Sequence, residues 1–450
     1  MSKSSAPQIE VGIVKALSIR FRLDGPFSLD GEKVSWKDEA EAVLNGQEIV
    51  ILRAGKEHAR GSSVVLKASD GEQCSFTIED VVIGIGFHWE QKEEQVFQGD
   101  LKLIILDGEI QVVNVISVED YLISVISSEM RGDSSPALLK AHTIISRSWL
   151  LAQIEKQKEL VGSGENYELV HETLDEYIRW YDREDHDRFH VCADDHCQRY
   201  QGITRAHNPE VVKAVHETAG EVLEYAGKIC DARFSKCCGG VVEEFQHCWE
   251  PVVHPYLQRV DDNPPSRPVN TLDLKIESHA SEFIRSTPDA FCNTRDAELL
   301  RQVLNDYDQS SSDFYRWIVK YSQEELGDLI REKSGFDFGE ILDLIPVERG
   351  ESGRLVKLKI VGTKKTLIVG KELEIRRWLS TSHLYSSAFV VEKEGLIDGV
   401  PSAFVLKGSG WGHGVGLCQI GAAVMASKAY SHQEILKHYF IDASLNKRYE

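Results

Sequence analysis

No apolar run in the 450-residue chain approaches the ~18 residues of a membrane-spanning helix, so no transmembrane segment is expected. The N-terminus, MSKSSAPQIEVGIV, lacks the apolar core of a secretion signal, and no export signal is expected there. Positive charge is in short supply. Against 72 Asp and Glu stand 51 Lys and Arg, a net charge of −21. Such a field repels polyanions, so nucleic acid is not expected as a partner and an anionic membrane surface is disfavoured. Internal repeats and low-complexity tracts are absent. Cysteines number nine, an odd count, and Cys192, Cys197, Cys230, Cys237 and Cys238 crowd into one stretch. That distribution is uneven for a disulfide framework and suits a metal site or reduced thiols.

What is present is the composition of a globular protein, 42% hydrophobic and 27% charged. The length allows one large domain or two to three ordinary ones. Residues 8–115 read as short Val- and Ile-rich strands broken by turns, with an Asp-Gly hairpin signal in LDGEI. At Ser117 the pattern changes. SVEDYLISVISSEM carries a capping box, Ser117 with Asp120, and predicts a helix. A second helix is predicted from Ser135 as N-cap and Pro136 as first helical residue. Residues 162–210 are polar and irregular, 265–335 read as helical and acidic, and 403–429 as strand, Gly-rich loop and helix. The sum is an α+β fold, a mixed β-rich core with helices lining a groove.

Chemistry has several candidate seats. On the first helix the apolar stripe Val118, Leu122, Val125, Ile126 continues onto Glu129. Partial burial and the negative helix end would favour its protonated form, as acid catalysis on a glycosidic oxygen requires. The alternative is a helix-end Glu turned to solvent. The second helix sets Lys140, Thr143 or Ile144, and Arg147 on one side, either a cationic stripe or a solvated face. His186, His190, Cys192, His196 and Cys197 lie within twelve residues, a tetrahedral zinc site or a polar loop with free thiols. Gly239-Gly240 after Cys237-Cys238 suggest close backbone approach, while Cys248 and Cys292 read as merely buried or free. Glycines at 408, 410, 412, 414 and 416 surround His413. They fit neither phosphate-binding spacing. They suggest a backbone packed against a ligand, or a tight turn with a packing His.

NVISVEDYLISVISSEM, ALLKAHTIISRSWLLAQ, ARFSKCCGG and GWGHGVGLCQIGAAVMA, in this order, resemble the SpoIID/LytB family. The resemblance divides the chain into an N-terminal β-rich region (1–94), a family core in two parts (95–264 and 350–450) and a helical insertion (265–349). It implies a peptidoglycan lytic transglycosylase that leaves a 1,6-anhydro-N-acetylmuramic acid end, acting at the cell envelope on glycan strands. The family's catalytic glutamate falls on Glu129. Its groove residues fall on Lys140, Arg147, Ser235, Gly239, Gly240, His413 and Gln419, and its zinc ligands on His186, Cys192 and Cys197, making zinc an expected structural cofactor. Cys418 and Ile420 depart from the usual Ser and aromatic.

A hydrolase would need a second carboxylate about 5–9.5 Å from the first. Glu119 and Asp120 sit in the first turn of the helix, roughly 13–15 Å away along its axis. A lytic mechanism needs one carboxylate, acid first and base second. The competing expectations are a non-catalytic wall-binding or amidase-enhancing module, with an amidase as partner, and a zinc-dependent hydrolase. Without a visible export signal, the cytoplasm stands as the alternative to the envelope.

Overall fold

The computed structural model describes residues 5–36, 38–69, 74–83, 91–131, 133–163, 168–181, 186–194, 196–204, 208–267, 270–303 and 313–450. The end of the expected strand VVIGIG and residues 182–185 of the polar loop fall outside them.

Alternating apolar residues between 8 and 117 form two antiparallel-dominated sheets. In Ser18–Asp24, for instance, Ile19, Phe21 and Leu23 are buried and their neighbours are not. The larger sheet has the order Val191–Cys192, Gln8–Ala16, Glu109–Ser117, Asp100–Leu106, Ser63–Ala68, Phe27–Leu29, Glu32–Val34. Asp107 and Gly108 make its hairpin turn with both φ positive, at 52° and 80°, as an Asp-Gly two-residue turn requires. The second sheet joins six strands from Ser18 to Gln98. Residue 94 lies inside the strand Gln91–Gln98, so these sheets extend past that position.

The strand Glu109–Ser117 runs without a loop into helix α1, Val118–Glu129. Ser117 Oγ accepts from the Asp120 N–H at 3.1 Å, one half of the expected capping box, while the Asp120 carboxylate takes the Ser117 hydroxyl at 2.6 Å. Val118, Leu122, Val125 and Ile126 are fully buried, each contributing roughly 1.5–3 kcal/mol. This burial fixes the rotation of α1 and so the direction of Glu129. Helix α2, Pro136–Ser163, starts with Ser135 Oγ accepting from Leu138 N–H at 3.4 Å. From 138 to 151 nearly every side chain is buried, so α2 runs through the core instead of over its surface.

A second core gathers around Trp317, Leu326, Ile330, Leu358, Trp378, Phe389 and Leu406. Within 265–349 it draws on the helix Gln323–Ser334 and on two strands as well, Arg316–Ser322 and Ile341–Arg349. Those strands pair with Ala403–Ser409 and Leu355–Gly362, both from residues beyond 350.

The Gly-rich loop is packed against the protein itself. Buried Arg354 donates to the carbonyls of Gly412 (3.1 Å) and Cys238 (3.1 Å). A Cβ at Gly414 would lie 2.4 Å from the Arg354 guanidinium, and one at Gly416 2.1 Å from the Arg233 carbonyl oxygen. Both glycines also have positive φ, 79° and 72°. The spacing that suggested a ligand-facing backbone is thus explained by an internal arginine and by the backbone at Arg233.

Candidate active site

A cavity of about 320 Å³ opens where α1 ends. Glu129 lines it from α1, and Trp149, Gln153 and Gln157 from α2. Arg233, Phe234, Trp249 and His413 line it as well, together with the loop residues Tyr181, His186, His190, His196 and Cys197. Glu129 is the one carboxylate among the described lining residues. The wall is aromatic and ordered. The Arg233 guanidinium lies 4.4 Å over the Trp249 ring and is held by Asp231 at 2.6 and 2.8 Å. Trp249 meets the His413 ring edge-on at 4.7 Å, and Tyr181 is tied to Glu374. Flat rings beside cations present an apolar face and polar edges, the surface a sugar ring matches.

His413 shares this cavity with Glu129, but its nitrogens are engaged by the chain. Nδ1 accepts from the Val415 N–H at 3.0 Å, and the ring is also hydrogen-bonded to the Phe234 backbone. Burial, helped by Arg233, Arg354 and Arg376, pushes its pKa well below the ordinary value. It is a neutral ring that fixes the loop against the cavity wall.

The other expected groove residues are dispersed. Lys140 pairs with Glu217 at 2.6 Å and does not line the cavity. Arg147 is fully buried and bonded to both Glu119 oxygens at 3.0 and 2.6 Å and to the Glu221 carbonyl at 3.1 Å. Its five donors are turned inward, so it cannot reach a glycan in this cavity. Gln419 is buried and hydrogen-bonded to His142 at 3.0 Å, with His142 packed edge-on to Phe234 at 4.5 Å. It stands behind the cavity wall. Ser235 is buried in a short parallel pairing with Cys418. Gly239 and Gly240 meet Ser409, Gly410 and Tyr315, at distances where a Cβ would clash.

His186, Cys192, His196 and Cys197 come together, their four donor atoms all within 4.8 Å of one another. Cys197 Sγ is 3.4 Å from His186 Nε2 and 3.5 Å from His196 Nδ1. Hydrogen bonding from Cys197, then from the imidazoles, holds the Cys192 thiol well below its usual value. The cluster is hooked to the large sheet, where Val191 and Cys192 pair with Val11 and Gly12. His196, one of two alternative imidazoles in the sequence, joins His186 as a fourth donor. Nothing in the spacing marks Trp149, Tyr181, Arg233 or Trp249, because they come from four separate segments.

Burial holds several imidazoles neutral: His142, pushed down to about 3, His383 and His438, each to about 4, and His413, well below its ordinary value. Unfolded, each titrates near 6.5. The unfolded chain therefore binds more protons below that pH. This stability is complete above about pH 6.5 and falls as pH drops towards 4, by up to about 1.4 kcal/mol per group per pH unit. The thermal midpoint is expected to fall steeply over that window, and less steeply in His142→Gln. A midpoint flat between these values would show that the imidazoles are solvated.

Residues 106–225 match the SpoIID family model, described as stage II sporulation protein. They include Glu129 and the His/Cys cluster. Residues 106–225 thus carry a SpoIID-family domain. Residues 243–416, which include Trp249 and His413, match a domain of unknown function, DUF8618. The chain is 23% identical over 336 residues to stage II sporulation protein D of Bacillus amyloliquefaciens, covering 73% of this chain and 74% of that one. To an uncharacterized protein of Brachyspira hyodysenteriae it is 24% identical over 344 residues, 76% and 70% of the two chains. To the amidase enhancer of Bacillus subtilis (strain 168) it is 26% identical over 253 residues, 53% of this chain but 33% of that protein. The chain thus matches about a third of the amidase enhancer's length.

Proposed function

We propose that this SpoIID-family protein is a peptidoglycan lytic transglycosylase of the cell envelope, with Glu129 as its acid and base. The observation that supports this most is a single described carboxylate in an aromatic-walled cavity. Glu129 protonates the glycosidic oxygen. Its carboxylate then takes the proton from the C6 hydroxyl of the same N-acetylmuramic acid as that oxygen attacks C1. The C1–O bond to the leaving sugar breaks, the 1,6-anhydro bond forms, and no water is consumed. One carboxylate suffices for both steps. Trp149, Tyr181 and Trp249 offer stacking faces, and Arg233 a cation for the polar edge of the glycan. Mass spectrometry of muropeptides after incubation with glycan strands is the test. Anhydro ends support the reading, and reducing ends alone rule it out.

The zinc that the family resemblance implies has a fitting donor set in His186, Cys192, His196 and Cys197. Two thiolates and two imidazoles complete a tetrahedral shell, leaving no open position, so the ion would pin the cavity's loop wall. This counts against a zinc hydrolase at that cluster. Cys192→Ser is expected to lower zinc content by one equivalent per chain relative to the parent, and to lower the thermal midpoint. Unchanged metal content would remove zinc from this loop.

The similarity to the amidase enhancer favours a second reading, activation of a cell-wall amidase. It predicts that this chain leaves glycan strands intact alone, while raising release of stem peptides when an amidase is added.

A further inference from the structure

A second cluster of metal-binding side chains lies apart from the cavity. Cys238, Asp262, Cys292 and Cys418 are all buried, and their donor atoms lie within 4.8 Å of one another. None of the four lines the cavity. They come from four separate stretches of chain: the segment before Gly239-Gly240, the turn at 262, the residues after Phe291, and the start of the helix Gln419–Ser427. We propose that these four residues bind a structural zinc ion, distinct from the His/Cys cluster of the cavity.

The geometry supports this in three ways. First, Cys238 Sγ and Cys292 Sγ are 3.6 Å apart. Two thiolates on one tetrahedral zinc at about 2.3 Å each would be separated by about 3.8 Å. Second, the donors are oriented by surrounding groups, as metal ligands usually are. Cys418 Sγ accepts from the N–H groups of Cys238 (3.2 Å) and Gly421 (3.4 Å). Asp262 accepts from the Tyr439 hydroxyl (2.6 Å) on one oxygen and from the Cys292 N–H (2.8 Å) on the other. Gly421 allows this closeness, since a Cβ there would stand 2.3 Å from the Tyr439 oxygen and 2.6 Å from Asp262 Oδ1. Third, the charge of three thiolates, a carboxylate and a dication has nearby compensation. Buried Arg354 donates to the Cys238 carbonyl at 3.1 Å, and Arg316 to the Gly239 carbonyl at 3.0 Å.

Burying three thiols and a carboxyl together has a cost that a bound cation would offset. Soft thiolates with one carboxylate in a tetrahedral arrangement favour zinc among common divalent ions. The ion would tie the Cys237–Gly240 segment and the helix after the Gly-rich loop to the region around 262–292. It would stabilise the loop that carries His413 from behind, whether or not the cavity cleaves glycan.

The test starts from a Cys192→Ser, Cys197→Ser double variant, which removes the cavity cluster and leaves the buried one untouched. The full chain is purified under reducing conditions without added metal. Native mass spectrometry and elemental analysis are expected to find one zinc per chain. Adding Cys292→Ser and Cys418→Ser is expected to remove it and to lower the thermal midpoint. Because those replacements sit in the core and put folding at risk, the double variant decides by itself. A folded double variant free of zinc would overturn the proposal.

Discussion

Glu129→Gln is expected to lower glycan turnover by about 10²–10⁴-fold, the usual worth of general acid–base catalysis. Gln matches Glu in size and hydrogen-bonding reach but cannot deliver a proton to the leaving oxygen. The residue is half-buried at the last turn of α1, beyond a stripe that is itself fully buried. The backbone direction is therefore set by Val125 and Ile126, and the variant should keep the parent's circular dichroism and thermal midpoint. Lost turnover with an intact fold would separate chemistry from packing. Full activity in this variant would remove Glu129 from the reaction. No second described carboxylate lines the cavity to take over, so a small residual rate is expected from orientation alone.

Breaking the pair between Arg147 and Glu119 is expected to cost about 3–5 kcal/mol of stability, because either partner is left as an uncompensated buried charge. Glu119 also accepts from Tyr449 at 2.7 Å and from the Gly220 N–H at 3.3 Å, so Glu119→Ala strands four donors from three residues at once. Arg147→Ala leaves the carboxylate facing Tyr449 without its cation. Chemical denaturation should show the loss in both variants, with an apparent glycan affinity unchanged in the folded fraction. An Arg147→Ala protein of parental stability and weakened glycan binding would place Arg147 in the groove after all. The expected outcome matters for reading the family's motifs. A positive residue on the helix after α1 looks like a substrate clamp in sequence, yet here it clamps α1 itself.

Local order was legible in the sequence where it depends on neighbours in the chain. The Asp107-Gly108 hairpin, the Ser117 cap, the start of α2 at Pro136 and the buried stripe leading to Glu129 follow from turn chemistry, capping and period. The association of His186, Cys192 and Cys197 was legible because few residues separate them and their types share one chemistry. Tertiary structure decided the rest. It turned Lys140 to Glu217, Arg147 to Glu119 and Gln419 to His142, each away from the groove role that the family resemblance implied. A helical period says which residues share a face, but only packing says what that face meets. It also gave Gly410 and Gly414, on either side of His413, their reason in Arg354, whose guanidinium no local pattern could bring beneath them. Cys238, Asp262, Cys292 and Cys418 meet across as many as 180 residues of chain, a separation at which sequence carries no distance information and only the fold does.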